Sequence, residues 1–288
     1  MKLVTIRNSR MLAGIANMLE CHGFETDDRS IALGMEAPYL FLRENGCFVA
    51  GASLFVPRYI NLYLHSIGFH LERIALPKDE VLPFLRSTKT ALLPLLNLKE
   101  TPPTLKPVVF SGIQRGRFTF TNLKPEYAKE PDSFSYTTPM LLSRLTDSVK
   151  IYTLTPIPPE PADFLPYLAE SLRNIATFGA DFQEIAQRRV TREEYEQLKK
   201  THLRALMHDL EPMAAIGHDS QLYNELKLLN HLHSYVFLRF SPERVSLKPK
   251  LPLRYVQNAV NWLQEDITDR LYAHGASDDF INKYKYGK

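Results

Sequence analysis

Cysteine is nearly absent from this 288-residue chain, which has only Cys21 and Cys47. That excludes a disulfide framework, leaves room for a single bridge, and suits a reducing compartment. No apolar run approaches the ~20 residues that a membrane-spanning helix needs, so no membrane partner is expected. The twelve glycines are scattered and never form the spacing that cradles a nucleotide phosphate. An excess of one charge sign is missing too. Basic and acidic residues number 18 and 14 through Lys150, then 17 and 18 beyond it. That is not the basic footprint of a nucleic-acid binder. Neither a repeat of fixed period nor a low-complexity tract is present. His231 and His233 stand two apart on an expected helix and diverge, whereas helical ligand pairs need spacings of three or four. No metal or cofactor is expected.

What remains has the composition of a globular chain long enough for two cores, 44% hydrophobic and 23% charged. Lys2, Arg7 and Arg10 precede the apolar stretch Met11 to Leu19 much as a leader peptide would begin. Gly14 and Asn17 interrupt that stretch, however, and no small-residue cleavage site follows. A cytoplasmic protein is the expectation. The segment 155–161, with four prolines, is expected to stop both helix and sheet, because each proline lacks a donor and restricts the residue before it. It reads as a linker between an N-terminal domain over 1–154 and a helical domain over 162–288.

The first of these reads as α+β. Leu12, Ile15, Ala16 and Leu19 recur at helical spacing, with Asn8 or Ser9 as cap and Gly23 at the end. Pro57 opens a second helix that carries Ile60, Tyr63 and Leu64 and ends near Gly68. A third begins at Lys78, limited or kinked by Pro83. The run Pro107 to Ser111 and the alternation around Phe118 and Phe120 form a hairpin across Gln114-Arg115-Gly116. Pro94 confines Ala91 to Leu96 to an edge strand or a loop. A short helix starts at Thr138-Pro139, and Ile151 to Leu154 is expected at a sheet edge. Glu44 to Cys47 reads as a loop.

Past the linker, Thr191 and Glu194 have capping-box spacing before a helix that should stop near Pro212. Leu222, Leu226, Leu229 and Val236 mark another helix. Val256, Val260, Leu263, Ile267 and Leu271 mark a third, closed by Gly275. Tyr284 and Tyr286 read as part of a frayed terminus.

The run from Ser9 to Gly23, with Ile31-Ala32-Leu33-Gly34, Tyr39 to Arg43, Ala50-Gly51-Ala52 and Lys106 to Gly112, resembles the N-terminal domain of butirosin-type acyltransferases. These are relatives of the bacteriocin-processing papain-like cysteine peptidases. The resemblance implies a papain-like fold of helices and antiparallel sheet. It also implies acyl or aminoacyl transfer by a cysteine at the start of the first helix, a histidine opening the strand His-x-Val-Val-x-x-Gly, and an aspartate or asparagine ending the next strand. Aligned on Gly23 and Gly112, this chain has Arg10 for the cysteine, Lys106 for the histidine and Asn122 for the orienting residue. Arginine is never a nucleophile or base, so the standard triad is missing.

Two readings follow. In the first, the protein is a catalytically degenerate relative whose Arg10, Lys106 and Asn122 hold a peptide, a carrier-linked acyl group or an anionic small molecule in the former cleft. Two cations in one cleft need an anion or carboxylate between them. In the second, the protein is an active acyl or aminoacyl transferase or a cysteine-peptidase-like hydrolase with a nonstandard nucleophile, either Ser9, placed by a one-residue register slip with Lys106 as base, or a cysteine from elsewhere in the fold. Cys21, at the negative end of the first helix, is expected in the core.

Overall fold

The structure, a computed structural model, describes residues 2–187, 189–218, 220–237, 245–246 and 252–285. The side chains of His233 and Val236, and all of Tyr286, lie outside the described residues. In chain order the elements begin with α1 (Arg10–Cys21), α2 (Asp28–Gly34), β1 (Phe41–Glu44), β2 (Cys47–Ala50), α3 (Pro57–Ser66) and β3 (Phe69–Pro77). They continue with α4 (Lys78–Ser87), β4 (Ala91–Asn97), β5 (Thr104–Gln114), β6 (Arg117–Asn122), β7 (Ser133–Tyr136), α5 (Thr138–Leu142) and β8 (Ser148–Pro156). The remainder comprises α6 (Leu165–Ala186), β9 (Arg189–Val190), α7 (Arg192–Leu198), α8 (Glu211–Gly217), α9 (Ser220–Phe237), β10 (Val245–Ser246), α10 (Pro252–Ala273) and α11 (Asp278–Lys285). The protein is thus mixed α and β, with antiparallel sheets and a helical C-terminal region.

Two compact units divide the chain, one made of residues 1–35 and 55–162, the other of 36–54 and 163–288. The expected continuous N-terminal domain is therefore interrupted.

The first unit is built on a six-stranded antiparallel sheet in the order β3-β8-β4-β5-β6-β7. Along β4, Ala91, Leu93 and Leu95 join a core with Phe110, Phe118 and Phe120 of β5 and β6 and with Val81 and Leu85 of α4. Leu92 belongs to the opposite face and meets α1 at Gly14, where an added Cβ would sit 2.8 Å from its Cδ1. Small residues in α1 thus let the helix approach the sheet closely. The strand period of two splits β4 between two layers.

Two expectations of edge strands fail here: β4 and β8 are both interior. Pro94 stands opposite Pro107, and the pairing of β4 with β8 is registered at Leu92 and not at Pro94, so its missing donor breaks no registered pair. A pair of residues without N–H groups fits a non-hydrogen-bonded position of an antiparallel ladder. The proline-rich segment likewise contributes Thr155 and Pro156 to β8, opposite His70 and Phe69, before the chain leaves the sheet.

In the second unit, β1 and β2 pair across Asn45-Gly46, both at positive φ (49° and 77°). The supposed loop is the two-residue turn of a hairpin. Helix α6 secures it, since Ser171 Oγ accepts from the Phe41 N–H at 2.9 Å and Asn174 Nδ2 donates to the Phe41 carbonyl at 3.1 Å. Phe41 stacks on Phe48 and meets Phe178 edge-on, with centroids at 5.2 and 5.5 Å. Its apolar side is core and its backbone edge is satisfied, which is why the hairpin belongs to this unit.

The capping box forms as its spacing implies, with the Thr191 N–H donating to Glu194 and the Glu194 N–H to Thr191 Oγ1. After α7 the helix widens into π-turns over Lys199–Leu203 and Ala205–Asp209. Pro212 begins α8 rather than ending its predecessor, a position where its missing donor costs nothing. Leu222, Leu226 and Leu229 of α9 are buried, as are Val256, Val260, Leu263, Ile267 and Leu271 of α10. Tyr284 is not frayed: it lies in α11 beneath the Arg173 guanidinium, 4.9 Å from its ring centre. No described helix is long and apolar enough to cross a membrane.

Gly51 follows β2 with φ +49°, and a Cβ there would fall 1.7 Å from the Asp209 carbonyl oxygen. Gly51→Ala should cost about 3 kcal/mol or more, because backbone cannot yield as a side chain can. Gly46→Ala, at φ +77° with nothing within 4 Å, should cost only about 1 kcal/mol. Urea unfolding of the two variants measures the contrast; equal costs would contradict the packing described.

Candidate functional site

The segment ahead of α1 is tied down residue by residue. Asn17, one of the few buried polar residues, accepts from the Lys2 N–H at 2.9 Å and donates back to the Lys2 carbonyl at 3.0 Å. The Val4 N–H donates to the Lys124 carbonyl at 3.0 Å. Asp28, at the start of α2 and fully buried, then gathers the turn before the helix. Its carboxylate accepts from the N–H groups of Thr5 (2.7 Å) and Ile6 (3.1 Å) and from the hydroxyls of Thr5 and Ser9. The adjacent Asp27 caps α2 through Ser30 at 2.6 Å. Its partial burial opposes ionisation, but the Ser30 groups and the charges of Lys2 and Arg29 outweigh that and hold the carboxyl below its ordinary value.

Ser9 therefore has a structural partner on the side where a nucleophile would need freedom. It is fully buried, and its one hydroxyl proton has two acceptors in reach, Asp28 and, at 2.7 Å, the Ile6 carbonyl. Because the hydroxyl turns inward, no side chain caps α1, contrary to the capping role expected of Asn8 or Ser9. Asn8 instead makes the turn at φ +66°, a conformation asparagine tolerates better than most residues.

Arg10, the first residue of α1, is exposed and makes no hydrogen bond or ion pair among the described residues. It lines a concavity of about 650 Å³ with Val4, Thr5, Arg7, Pro125 and Tyr127, and among the described residues no acidic side chain lines the same space.

Lys106 and Asn122 line a different, smaller concavity of about 230 Å³, so among the described residues Arg10 and Lys106 do not share the cleft expected to hold them together. The two lie on neighbouring strands, with Asn122 opposite Val108. Lys106 already has its counter-charges, with Nζ 3.3 Å from both Glu100 Oε1 and Glu130 Oε1. The Thr104 hydroxyl and then the Lys106 ammonium hold the Glu100 carboxyl below its ordinary value. Asn122 serves the following loop: its amide donates to the Pro131 carbonyl and its N–H to the Asp132 carbonyl at 2.9 Å. Lys124, nearly buried, donates to the carbonyls of Ala128 and Glu130 and pairs with Asp132 at 2.8 Å. No contact unites Ser9, Lys106 and Asn122 into a nucleophile, base and orienter among the described residues.

Other candidates are also placed. Cys21 is half-buried rather than in the core, and Cys47 is half-buried on the hairpin; both thiols are free. Among the described residues no group of three or more His, Cys, Asp or Glu side chains is arranged to hold a metal. Asp28 and Lys124 escaped sequence reading, because a charged residue with no motif around it reads as surface. The asparagine that breaks the first apolar run was the one visible sign of a clamp. Neither a scan of protein-family models nor a search of curated proteins finds a match to this chain.

Asp28→Ala removes one acceptor from four donors, two of them buried hydroxyl and amide groups of Ser9 and Ile6, and should destabilise the protein by about 3 kcal/mol or more. Ser9→Ala removes one donor of four and should cost about 1 kcal/mol. Chemical denaturation decides this. A Ser9→Ala loss as large as that of Asp28→Ala would contradict the hierarchy.

Proposed function

We propose that the chain is a papain-like, butirosin-acyltransferase-like protein without nucleophilic catalysis, and that it binds an anionic group ahead of α1. The ligand is a peptide, a carrier-linked acyl arm or a small molecule, engaged through its carboxylate or phosphate. One observation carries the reading: an exposed guanidinium, Arg10, stands at the uncapped start of a twelve-residue helix, in a concavity with no acidic lining. Two effects favour an anion there. The first-turn N–H groups and the helix dipole carry partial positive charge, and arginine offers a planar fork of donors matched to carboxylate and phosphate.

The arrangement of α1 against β4 and β5, and of Lys106 and Asn122 on adjacent strands, supports the resemblance on which the papain-like part rests. The sealed hydroxyl of Ser9 supports binding over acyl transfer, since a buried serine bonded to a carboxylate cannot meet a substrate carbonyl. The ion pairs of Lys106 with Glu100 and Glu130 assign the anion to Arg10 and leave Lys106 a structural part.

Isothermal titration with pyrophosphate and with phosphopantetheine tests this. Arg10→Ala should weaken binding about tenfold or more and Arg10→Glu should abolish it, at ~1.4 kcal/mol per decade, while Lys106→Ala leaves the affinity within about twofold. Equal affinities for the parent and Arg10→Glu, or no binding of either probe by the parent, would overturn the assignment.

A further inference from the structure

The single tryptophan of the chain is not spent on the core. Trp262, half-buried on α10, lines a groove of about 470 Å³ shared with α9. Facing it are Asn224 and Glu225 of α9 and Asn258, Asn261 and Glu265 of α10. Among the described residues the lining has two carboxylates, no lysine, arginine or histidine, and several amides. Carboxylates on facing helices without a cation between them repel each other, and among the described residues no cation lining the groove compensates this charge.

Glu225 sharpens this. Its Oε1 accepts from Asn258 Nδ2 at 3.1 Å, but its Oε2 is shut off from solvent and has no donor among the described residues. A buried carboxylate oxygen without a donor is costly to keep, and the strongest donor for it is a cation. The indole face attracts the same kind of group and offers apolar surface to a methylene chain. The amides supply acceptors for the remaining N–H protons and have no charge of their own. A neutral polyol would satisfy the amides and leave both carboxylates uncompensated.

We propose that this groove binds a short aliphatic polyamine. One ammonium pairs with the Glu225 carboxylate as that side chain turns Oε2 toward the groove, the methylene chain lies along Trp262, and a second ammonium is drawn to Glu265. The volume falls within the range usual for small-molecule sites. This site belongs to the second unit and is independent of the anion site ahead of α1, so either can fail alone.

Because Trp262 is the only indole, its fluorescence reports on this groove in the whole protein. Putrescine and spermidine should each change its emission saturably, while 1,4-butanediol, the neutral counterpart of putrescine, should not at the same concentrations. Glu225→Gln, which keeps the shape of the side chain, and Glu265→Gln, at an exposed position, should each weaken spermidine binding about tenfold; without ligand, Glu265→Gln should leave the unfolding midpoint unchanged and Glu225→Gln, which removes a costly buried charge, should not lower it. No saturable response to either amine would overturn the proposal. An equal response to butanediol would overturn it too, as would spermidine affinity that neither glutamate variant changes.

Discussion

The carboxylate of Asp28 has no contact with solvent, so it depends entirely on the protein for its hydrogen bonds, and every donor it finds lies in the five residues before α1. A buried acceptor of this kind is expensive to leave short of partners and correspondingly effective at fixing whatever satisfies it. It fixes the turn from Thr5 to Ser9, and through that turn the place where α1 begins. The outward exposure of Arg10 and the inward direction of the Ser9 hydroxyl are two consequences of one constraint, since consecutive residues at a helix start point in different directions.

The sheet supplies the other half of the arrangement. Gly14 allows α1 to press on Leu92, and the pairing of β5 with β6 sets Asn122 opposite Val108, two residues from Lys106. Yet local electrostatics assign Lys106 and Asn122 to structure. Two glutamates neutralise the lysine, and the loop after β6 takes the asparagine amide, with Lys124 stapling the same loop from within. Function follows from the groups present at the site and not from the architecture that presents them.

Much of the architecture was legible because it rests on short-range rules. The helical spacing of Leu12, Ile15, Ala16 and Leu19, the proline at the start of α3, the turn at Arg115-Gly116 and the capping box of Thr191 and Glu194 are each fixed by neighbours a few residues away. What escaped depends on partners far along the chain. Pro94 faces Pro107 inside a sheet, and the hairpin of β1 and β2 joins helices through Ser171 and Asn174, more than a hundred residues downstream. The candidate site divides in the same way. The resemblance singled out Arg10 and Lys106 for attention, whereas their separation into two concavities and the role of Asp28 required the tertiary structure.

The account turns on Ser9 being a structural donor and not a reactive hydroxyl. Intact-mass measurement after exposure of the folded protein to a fluorophosphonate probe addresses this directly. The account predicts no adduct on Ser9 at any time before unfolding. A stoichiometric adduct mapped to Ser9 by peptide sequencing would show a free and activated hydroxyl, and would contradict it.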